Sequence, residues 1–483
     1  MNAIRHSCTL IMLAGLGLAG CATVGPDYTP LEPDVPSAWN RIDTTVKPAT
    51  HAAASGDISQ WWLGLNDSLL SQLMDQALLS NPDLRSAQAR LREARARRAV
   101  TASGRFPSVD ASATARRSRS SEETGSGATR NFFSAGFDAS WELDVFGGVR
   151  RGIEASDADL ESSRASLDDA RVSLVAEVAL NYIEVRAQQI RIGISRDNLA
   201  SQSETLQLTQ WRAQAGLANS QDVEQARSNR EQTRAQIPSL ETGLAEAEHR
   251  LDILLGKAPG TLHARLAAAA DLPAVPEQVA VGIPADTLRQ RPDIRAAERK
   301  LAAETARVGV AEAARYPAFR LSGSIGLEAL TLGALGNSSA ATSSLLGGIT
   351  APIFDAGRLR NQVEIQDAVR EQAQVAYEQT VLGALQDVEN ALIALARNRE
   401  RSEALANAVE STRSAAQLAR QRYSAGLIDF QSVLDTERSV LSVEDSLAST
   451  RADGVLALIR LYKALGGGWS SQTERRPAVQ DTP

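Results

Sequence analysis

The stretch Asn81-Pro82-Asp83-Leu84-Arg85, followed by a helical pattern and then Arg105-Phe106-Pro107, is answered 210 positions later by Arg291-Pro292-Asp293-Ile294-Arg295 and Arg315-Tyr316-Pro317. The two prolines lie 25 residues apart in both copies. The same offset relates Gly216-Leu217 to Gly426-Leu427, Gln221 to Gln431, Val223 to Val433, and Leu255-Gly256 to Leu465-Gly466. A repeat this long is no solenoid unit of a few dozen residues; it is a structural half copied once.

The rest of the composition narrows the chemistry. Of 483 residues only two are cysteines, Cys8 and Cys21, and the four histidines, His6, His51, His249 and His263, are scattered. Disulfides, metal clusters and thiol or Ser/His chemistry therefore have little to work with. The net charge of −7 argues against a nucleic-acid binder. Arg5, the short apolar run Leu10 to Leu18 and the small residues after it read as an export signal too short to span a bilayer. It ends in Leu18-Ala19-Gly20-Cys21, which resembles a bacterial lipobox; the resemblance makes Cys21 the lipidated first residue of the mature chain, and Ala22 after it directs it to the outer membrane. Gly15, Gly17 and Gly20 fit a dinucleotide-binding glycine pattern, but no strand precedes them and no helix follows.

Four segments alternate with period two, their odd positions apolar. Val109, Ala111, Ala113 and Ala115 oppose Ser108, Asp110, Ser112, Thr114 and Arg116. In the clearest, Phe133, Ala135, Phe137, Ala139, Trp141, Leu143 and Val145 oppose a set that includes Asp138, Glu142 and Asp144. Phe319, Leu321, Gly323, Ile325 and Leu327 head the third, and Leu345 to Phe354 form a weaker fourth. Such alternation fits a half-buried soluble strand. Acidic residues on one face, aromatics on the other, and a length beyond the ~9–11 residues of a tilted membrane strand favour lipid outside and water inside. Asp138, Glu142 and Asp144 are then the expected lumen-facing carboxylates. An open edge is not tolerated in hydrocarbon, and the smallest membrane barrels have about eight strands, so a chain with four must oligomerise.

The remainder reads as helix. A pattern free of proline runs from after Gly148 to about Ala215, on the order of 100 Å at 1.5 Å per residue. Val178, Val185, Ile192, Leu199 and Leu206 recur every seven residues, as do Leu160, Leu167 and Leu174, which implies left-handed supercoiling against partner helices. The return helices keep Val223, Ile237, Leu244 and Leu251 in register with Val433, Leu447 and Leu461, and Pro238 is expected to kink the first of them. Gly216 and Gly426 suit the left-handed position that ends a helix, and Asn219 and Asp429 suit the cap of the next. The expected division is a signal peptide at 1–20, a lipidated extension at 21–67, a first repeat at 68–257, a linker at 258–284, a second repeat at 285–466 and a tail at 467–483.

The order helix, strand, loop, strand, long helix, tight turn, return helix in each half resembles the TolC-like outer membrane efflux proteins, in particular the lipidated branch similar to OprM. The resemblance spans the mature chain and rests on Val24-Gly25-Pro26-Asp27-Tyr28 after the lipid cysteine, Val281-Gly282-Ile283-Pro284 leading to Arg291-Pro292-Asp293-Ile294, and Tyr316-Pro317 entering the third strand. It implies a mixed membrane protein: a long α-helical coiled-coil barrel in the periplasm, and four transmembrane β-strands per chain that complete a twelve-stranded barrel in a homotrimer. It further implies an exit duct for drugs or other toxic small molecules, working with a periplasmic adaptor and an inner membrane transporter of the resistance-nodulation-division (RND) type. No cofactor and no catalytic site are expected.

The family's gate, carried over by its motif, falls at Arg422, Tyr423, Asp435 and Arg438, with Asp222 the matching acid in the first hairpin. Asp222, three residues after Asn219, equally suits a helix N-terminus. Where the family often has a leucine near the constriction this chain has Gln431. The turns around Gly216, Leu217, Gly426 and Leu427 are the expected adaptor-docking tips. Two other readings stay open: a duct for type I protein secretion, and a structural coiled-coil lipoprotein whose alternating segments are soluble strands.

Overall fold

The computed structural model describes residues 23–31, 35–39, 46–48, 58–276, 279–281 and 284–469. The lipidation expectation at Cys21 therefore lies outside the described residues. The duplication is kept to the residue. Helix α2 (Pro82–Ser103) answers α7 (Pro292–Ala313), strand β2 (Ser108–Arg119) answers β5 (Ala318–Ala329), the 67-residue α3 (Gly148–Gln214) answers α8 (Arg358–Ser424), and the 35-residue α4 (Ser220–Leu254) answers α9 (Phe430–Ala464). The second strands break the match: β3 spans Thr129–Leu143 and β6 the shorter Ala341–Thr350, so the weak fourth segment begins earlier than its alternation and stops before Phe354. So do the opening helices, since Ser68–Ser80 is answered only by the shorter Pro284–Gln290. Among the described residues no helix is long and apolar enough to cross a membrane.

Two compact units cut across the halves. The first gathers residues to 32, 90–164 and 296–378. It holds an antiparallel sheet in the order β2-β3-β5-β6, whose register pairs odd positions with odd throughout. Val109 lies opposite Ala139, Phe137 between Ala111 and Ile325, and Phe319 opposite Ile349, so the apolar sets of four strands share one face. The other face is stitched by polar pairs: Ser108 with Ser140 at 3.0 Å, Ser112 donating to Asp138 at 2.8 Å, Arg320 to Glu142 at 3.2 Å, and Ser324 with Ser344 at 2.8 Å.

Within this unit the Val24 to Tyr28 motif is a strap. Gly25 sits at φ +88°, and a Cβ there would meet the Gly309 Cα at 2.4 Å, while a Cβ on Gly309 would meet the Arg151 side chain at 2.9 Å. The buried Arg151 donates to the carbonyls of Val24 and Gly25, each at 3.1 Å, and to Asp27 at 2.6 Å. The Tyr28 hydroxyl donates to Glu298 at 3.1 Å; burial, then the Glu298 charge, hold its pKa well above the ordinary tyrosine value.

The second unit gathers 33–89, 165–295 and the chain from 379. It contains a 3₁₀ helix (Ile58–Leu65), α1 (Ser68–Ser80), α5 (His263–Leu266), α6 (Pro284–Gln290) and a parallel pair, β1 (Val46–Pro48) beside β4 (Val279–Val281). The heptad residues form its core: Val178 and Val185 are fully buried, as are Leu251, Val433 and Leu461. Helix α4 continues through Pro238, so the expected kink does not interrupt it.

The motif that opens each half closes it as well. The Asn81 amide donates to the Leu254 carbonyl at 2.9 Å, and the Arg291 guanidinium donates to the Ala464 carbonyl at 3.0 Å. These are equivalent positions at the ends of the return helices, whose last carbonyls have no partner within the helix. Asn81 uses its oxygen to cap α2 through the Leu84 N–H, whereas Arg291 is held by Asp293 and Asp387.

Candidate functional site: the hairpin tips

Two helical hairpins, α3 with α4 and α8 with α9, end in turns of the same construction. Gly216 at φ +71° and Gly426 at φ +74° take the left-handed position. The Leu217 N–H bonds to the Arg212 carbonyl and the Leu427 N–H to the Arg422 carbonyl, both at 2.8 Å, while Gly216 and Gly426 bond to Ala213 and Tyr423 at 3.0 and 2.9 Å. This is the six-to-one and five-to-two pattern of a helix terminated by glycine. The next helix is capped at once: Asn219 accepts from the Asp222 N–H at 2.7 Å, and Asp429 from Ser432 at 3.0 Å. The Ser432 hydroxyl and N–H bonded to Asp429 hold its carboxyl below the usual range. The turn leaves a leucine outside in each hairpin, Leu217 at 67% and Leu427 at 73% exposure.

Behind the tips lies a small core of Leu206, Ala226, Ala419, Tyr423, Phe430, Val433 and Leu434. Tyr423 belongs to it: it is 4% exposed, its ring lies 5.4 Å from Phe430, and its buried hydroxyl has no hydrogen-bond partner among the described residues. Arg212 covers it. The guanidinium sits 4.6 Å over the Tyr423 ring and donates to the Tyr423 and Ser424 carbonyls at 2.8 and 3.0 Å, satisfying the end of α8 from a different hairpin.

The remaining expected gate residues are not joined to one another within the chain. Asp222 completes a capping box, accepting from the Asn219 N–H at 3.3 Å, so the local reading of that acid holds here. Asp435 accepts from Gln431 at 2.8 Å, and Arg438 donates to Asn229 at 3.0 Å. No Asp435–Arg438 ion pair occurs among the described residues. On the strands, Asp138 and Glu142 take the polar face as expected, but Asp144 lies beyond the end of β3 at Leu143. It caps α3 instead, accepting from the Val149 and Arg150 N–H groups, each at 2.9 Å.

What joins the hairpins is a polar seam. Along α3, Arg191, Asn198, Thr205 and Arg212 recur every seven residues and face α9 and the end of α8. Arg191 pairs with Asp445 at 2.7 Å, Asn198 donates to Glu444 at 2.8 Å, and Thr205 donates to Glu437 at 2.5 Å. Glu444 also takes Arg413 at 2.6 Å. Burial pushes the Glu437 carboxyl up, against the smaller opposing pull of Thr205 and Arg420. Gln202 lies buried in the seam with neither side-chain polar atom hydrogen-bonded among the described residues, on the wall of a cavity that Arg191, Asn229, Arg438 and Asp445 also line. The sequence carries a signal for these residues, since they occupy the register one position before the apolar Ile192, Leu199 and Leu206.

No group of three His, Cys, Asp or Glu side chains that could hold a metal exists among the described residues. The model of the outer membrane efflux protein family matches residues 73–257 and again 283–467. The chain is 33% identical over 483 residues to Nodulation protein T of Rhizobium leguminosarum bv. viciae, covering 100% of this chain and 97% of that one. It is 32% identical over 484 residues to the pyoverdine export outer membrane protein OpmQ of Pseudomonas putida strain KT2440, covering 99% and 100%. The structure of the outer-membrane channel OprN superposes with a TM-score of 0.86 at 39% identity, over 93% of this chain and all of that one. With both halves matched by one family model and the whole length shared with these relatives, the chain belongs to the outer membrane efflux protein family.

Proposed function

We propose that three copies of this chain form the outer membrane duct of a tripartite efflux pump. The observation that carries the reading is the sheet, in which β2 and β6 are open edges and one whole face is apolar, with Phe137 and Ile325 at 58% and 65% exposure. Unpaired backbone at a sheet edge is intolerable in hydrocarbon, so the edges close on other copies. Four strands from each of three chains make twelve, within the range of closed membrane barrels. In this reading the apolar face meets lipid, and Asp138 and Glu142 meet the water-filled lumen. The duplicated segments 68–257 and 285–466 act as the two quasi-equivalent staves of each copy, and acylated Cys21 is a second anchor.

The duct performs no reaction of its own and needs no cofactor; transport through it is passive. A periplasmic adaptor engages the tips at Gly216, Leu217, Gly426 and Leu427, where two like turns per chain offer six contacts per trimer, and an RND-type inner membrane transporter supplies energy and selects the cargo. OpmQ is named for pyoverdine export; for this chain the cargo class is drugs or other toxic small molecules. The gate lies at the tips, where Asp222, Arg422, Asp435 and Arg438 ring the pore and carboxylates of one copy face arginines of the next, with Tyr423 bracing the ring from the core behind it. The test is the mass of the detergent-solubilised protein, expected at three chains, together with conductance in planar bilayers. A single-chain mass or an absence of pores would overturn the reading in favour of a coiled-coil lipoprotein.

A further inference from the structure

The seam seen between the two hairpins has an unoccupied equivalent. Arg422 is the repeat counterpart of Arg212, and Leu418 that of Leu208. In the first hairpin both are engaged: Arg212 bonds the end of α8, and Leu208 packs on the core behind the tips. In the second hairpin Leu418 is 54% exposed, and Arg422 is exposed with no hydrogen bond or ion pair among the described residues. The two are four residues apart on α8 and therefore share a face.

Their complement also exists in the chain. Ala213 and Gln214 are the counterparts of Tyr423 and Ser424, and they end α3 in the same turn geometry that ends α8, with the Gly216 N–H on the Ala213 carbonyl. A helix C-terminus carries partial negative charge and carbonyls without intrahelical partners, which a guanidinium fits. A chain cannot use its own second hairpin twice in this way, but a ring of copies related head to tail places the second hairpin of one beside the first hairpin of the next.

We infer that Arg422 and Leu418 of one copy dock on the end of α3 of the neighbouring copy, Arg422 donating to the Ala213 and Gln214 carbonyls. The occupant is a second copy of this chain, and the inference rests on the multimeric duct proposed above. This intercopy seam is the poorer of the two. Where the seam within a chain has Tyr423, Phe430 and Leu434, the equivalent positions are Ala213, Ser220 and Glu224, so the ring under the arginine and much of the apolar backing are missing. Arg422 thus carries most of the contact, and the tips separate between copies before they separate within one.

The test uses full-length chains with two different tags, one carrying Arg422→Cys and the other Gln214→Cys, coexpressed and treated in the membrane with a short bismaleimide. A linked dimer bearing both tags, absent when either cysteine is omitted, is expected. The pair Arg212→Cys with Ser424→Cys, placed in one chain, should link without raising the mass and reports correct folding. A three-chain native mass with no 422–214 linkage would overturn the docking alone. A one-chain mass would overturn the docking and the proposed duct together. Should the cysteine chains fail to assemble, the wild-type protein serves: Arg422 should resist phenylglyoxal in the intact assembly, and modification at the rate of a free arginine would overturn the docking.

Discussion

Replacing Arg212 by alanine removes three contacts at once from the end of α8. Two are charge-assisted hydrogen bonds to the Tyr423 and Ser424 carbonyls, at 2.8 and 3.0 Å, and the third is the guanidinium stacked 4.6 Å over the Tyr423 ring. Hydrogen bonds to charged groups contribute ~1.5–3 kcal/mol each, and an arginine over an aromatic ring adds about 0.5–2 kcal/mol. Arg212 is only half-buried and both bonds come from one Nη1, so the lower ends apply and the expected loss is about 2–4 kcal/mol. At ~1.4 kcal/mol per tenfold, local opening of the last turn of α8 should rise roughly 30- to 1,000-fold. Hydrogen exchange read on peptides from Ala416 to Phe430 measures this directly, because the N–H groups of Gly426 and Leu427 close that turn. Arg212→Lys should lie between, since an ammonium keeps the charge but not the planar stack. Unchanged exchange in Arg212→Ala would refute the claim that the first hairpin holds the end of the second.

Phe137→Arg, near the middle of the 15-residue β3 and on the apolar face, should cost about 2–4 kcal/mol at the bilayer midplane and reduce folded assembly in vesicles, while Ser140→Arg, between Ser108 and Ser322 on the polar face, should be tolerated. Equal sensitivity would show that the two faces are misassigned. Glu437 is held above its unfolded pKa, so its burial penalises the folded state increasingly as pH rises from the ordinary glutamate range through the raised value, and is relieved below it. Glu437→Gln, which keeps a partner for Thr205, should therefore raise Tm at neutral pH, and the difference should vanish on acidification; a difference that grows instead would sink the assignment. Mass spectrometry of the mature N-terminal peptide should find acyl mass on Cys21, and Cys21→Ser should lack it. Gly309→Ala should detach the Val24 to Tyr28 strap, because the added methyl collides with Arg151 atoms at 2.9–3.0 Å, and should speed proteolysis there several-fold, leaving hydrogen exchange at the hairpin tips unchanged.

Much of the fold was legible because it was written twice. The 210-residue offset fixed the matching of α2 with α7, α3 with α8 and α4 with α9, and the odd-even alternation survived into the register of the sheet, since parity is conserved across every strand pair. Local signals served where the physics is local: Gly216, Gly426, Asn219 and Asp429 all stand in the turn positions their chemistry suits. Side-chain partners across the hairpins were not legible, because a coiled-coil pattern gives which face is buried but not which residue lies opposite. Tyr423 therefore turned out to be core, Asp435 and Arg438 found Gln431 and Asn229, and Asp144 was drawn to the start of α3 by unbonded N–H groups just past the strand. For Arg212 the legible signal was the repeat itself, which pairs it with Arg422.

The places where the halves agree and disagree divide the molecule by role. Agreement is closest in the devices that finish helices: the return helices end under Asn81 and Arg291, and both hairpins turn through glycine and a capped restart. These requirements are the same in every stave, so both copies keep a solution, and the solution can differ in chemistry, amide or guanidinium, provided that it reaches the same carbonyl. Disagreement concentrates where one hairpin faces another. Thr205 faces Glu437, but their counterparts are Ala415 and Arg227; Asn198 faces Glu444, but their counterparts are Ala408 and Arg234. A ring of staves with identical seams would resist parting equally everywhere, and opening would have no preferred line. In the proposed duct, the seam within a chain carries buried polar pairs and an aromatic core, whereas the counterpart positions between copies carry neither, so a force applied at the tips is expected to part the copies first.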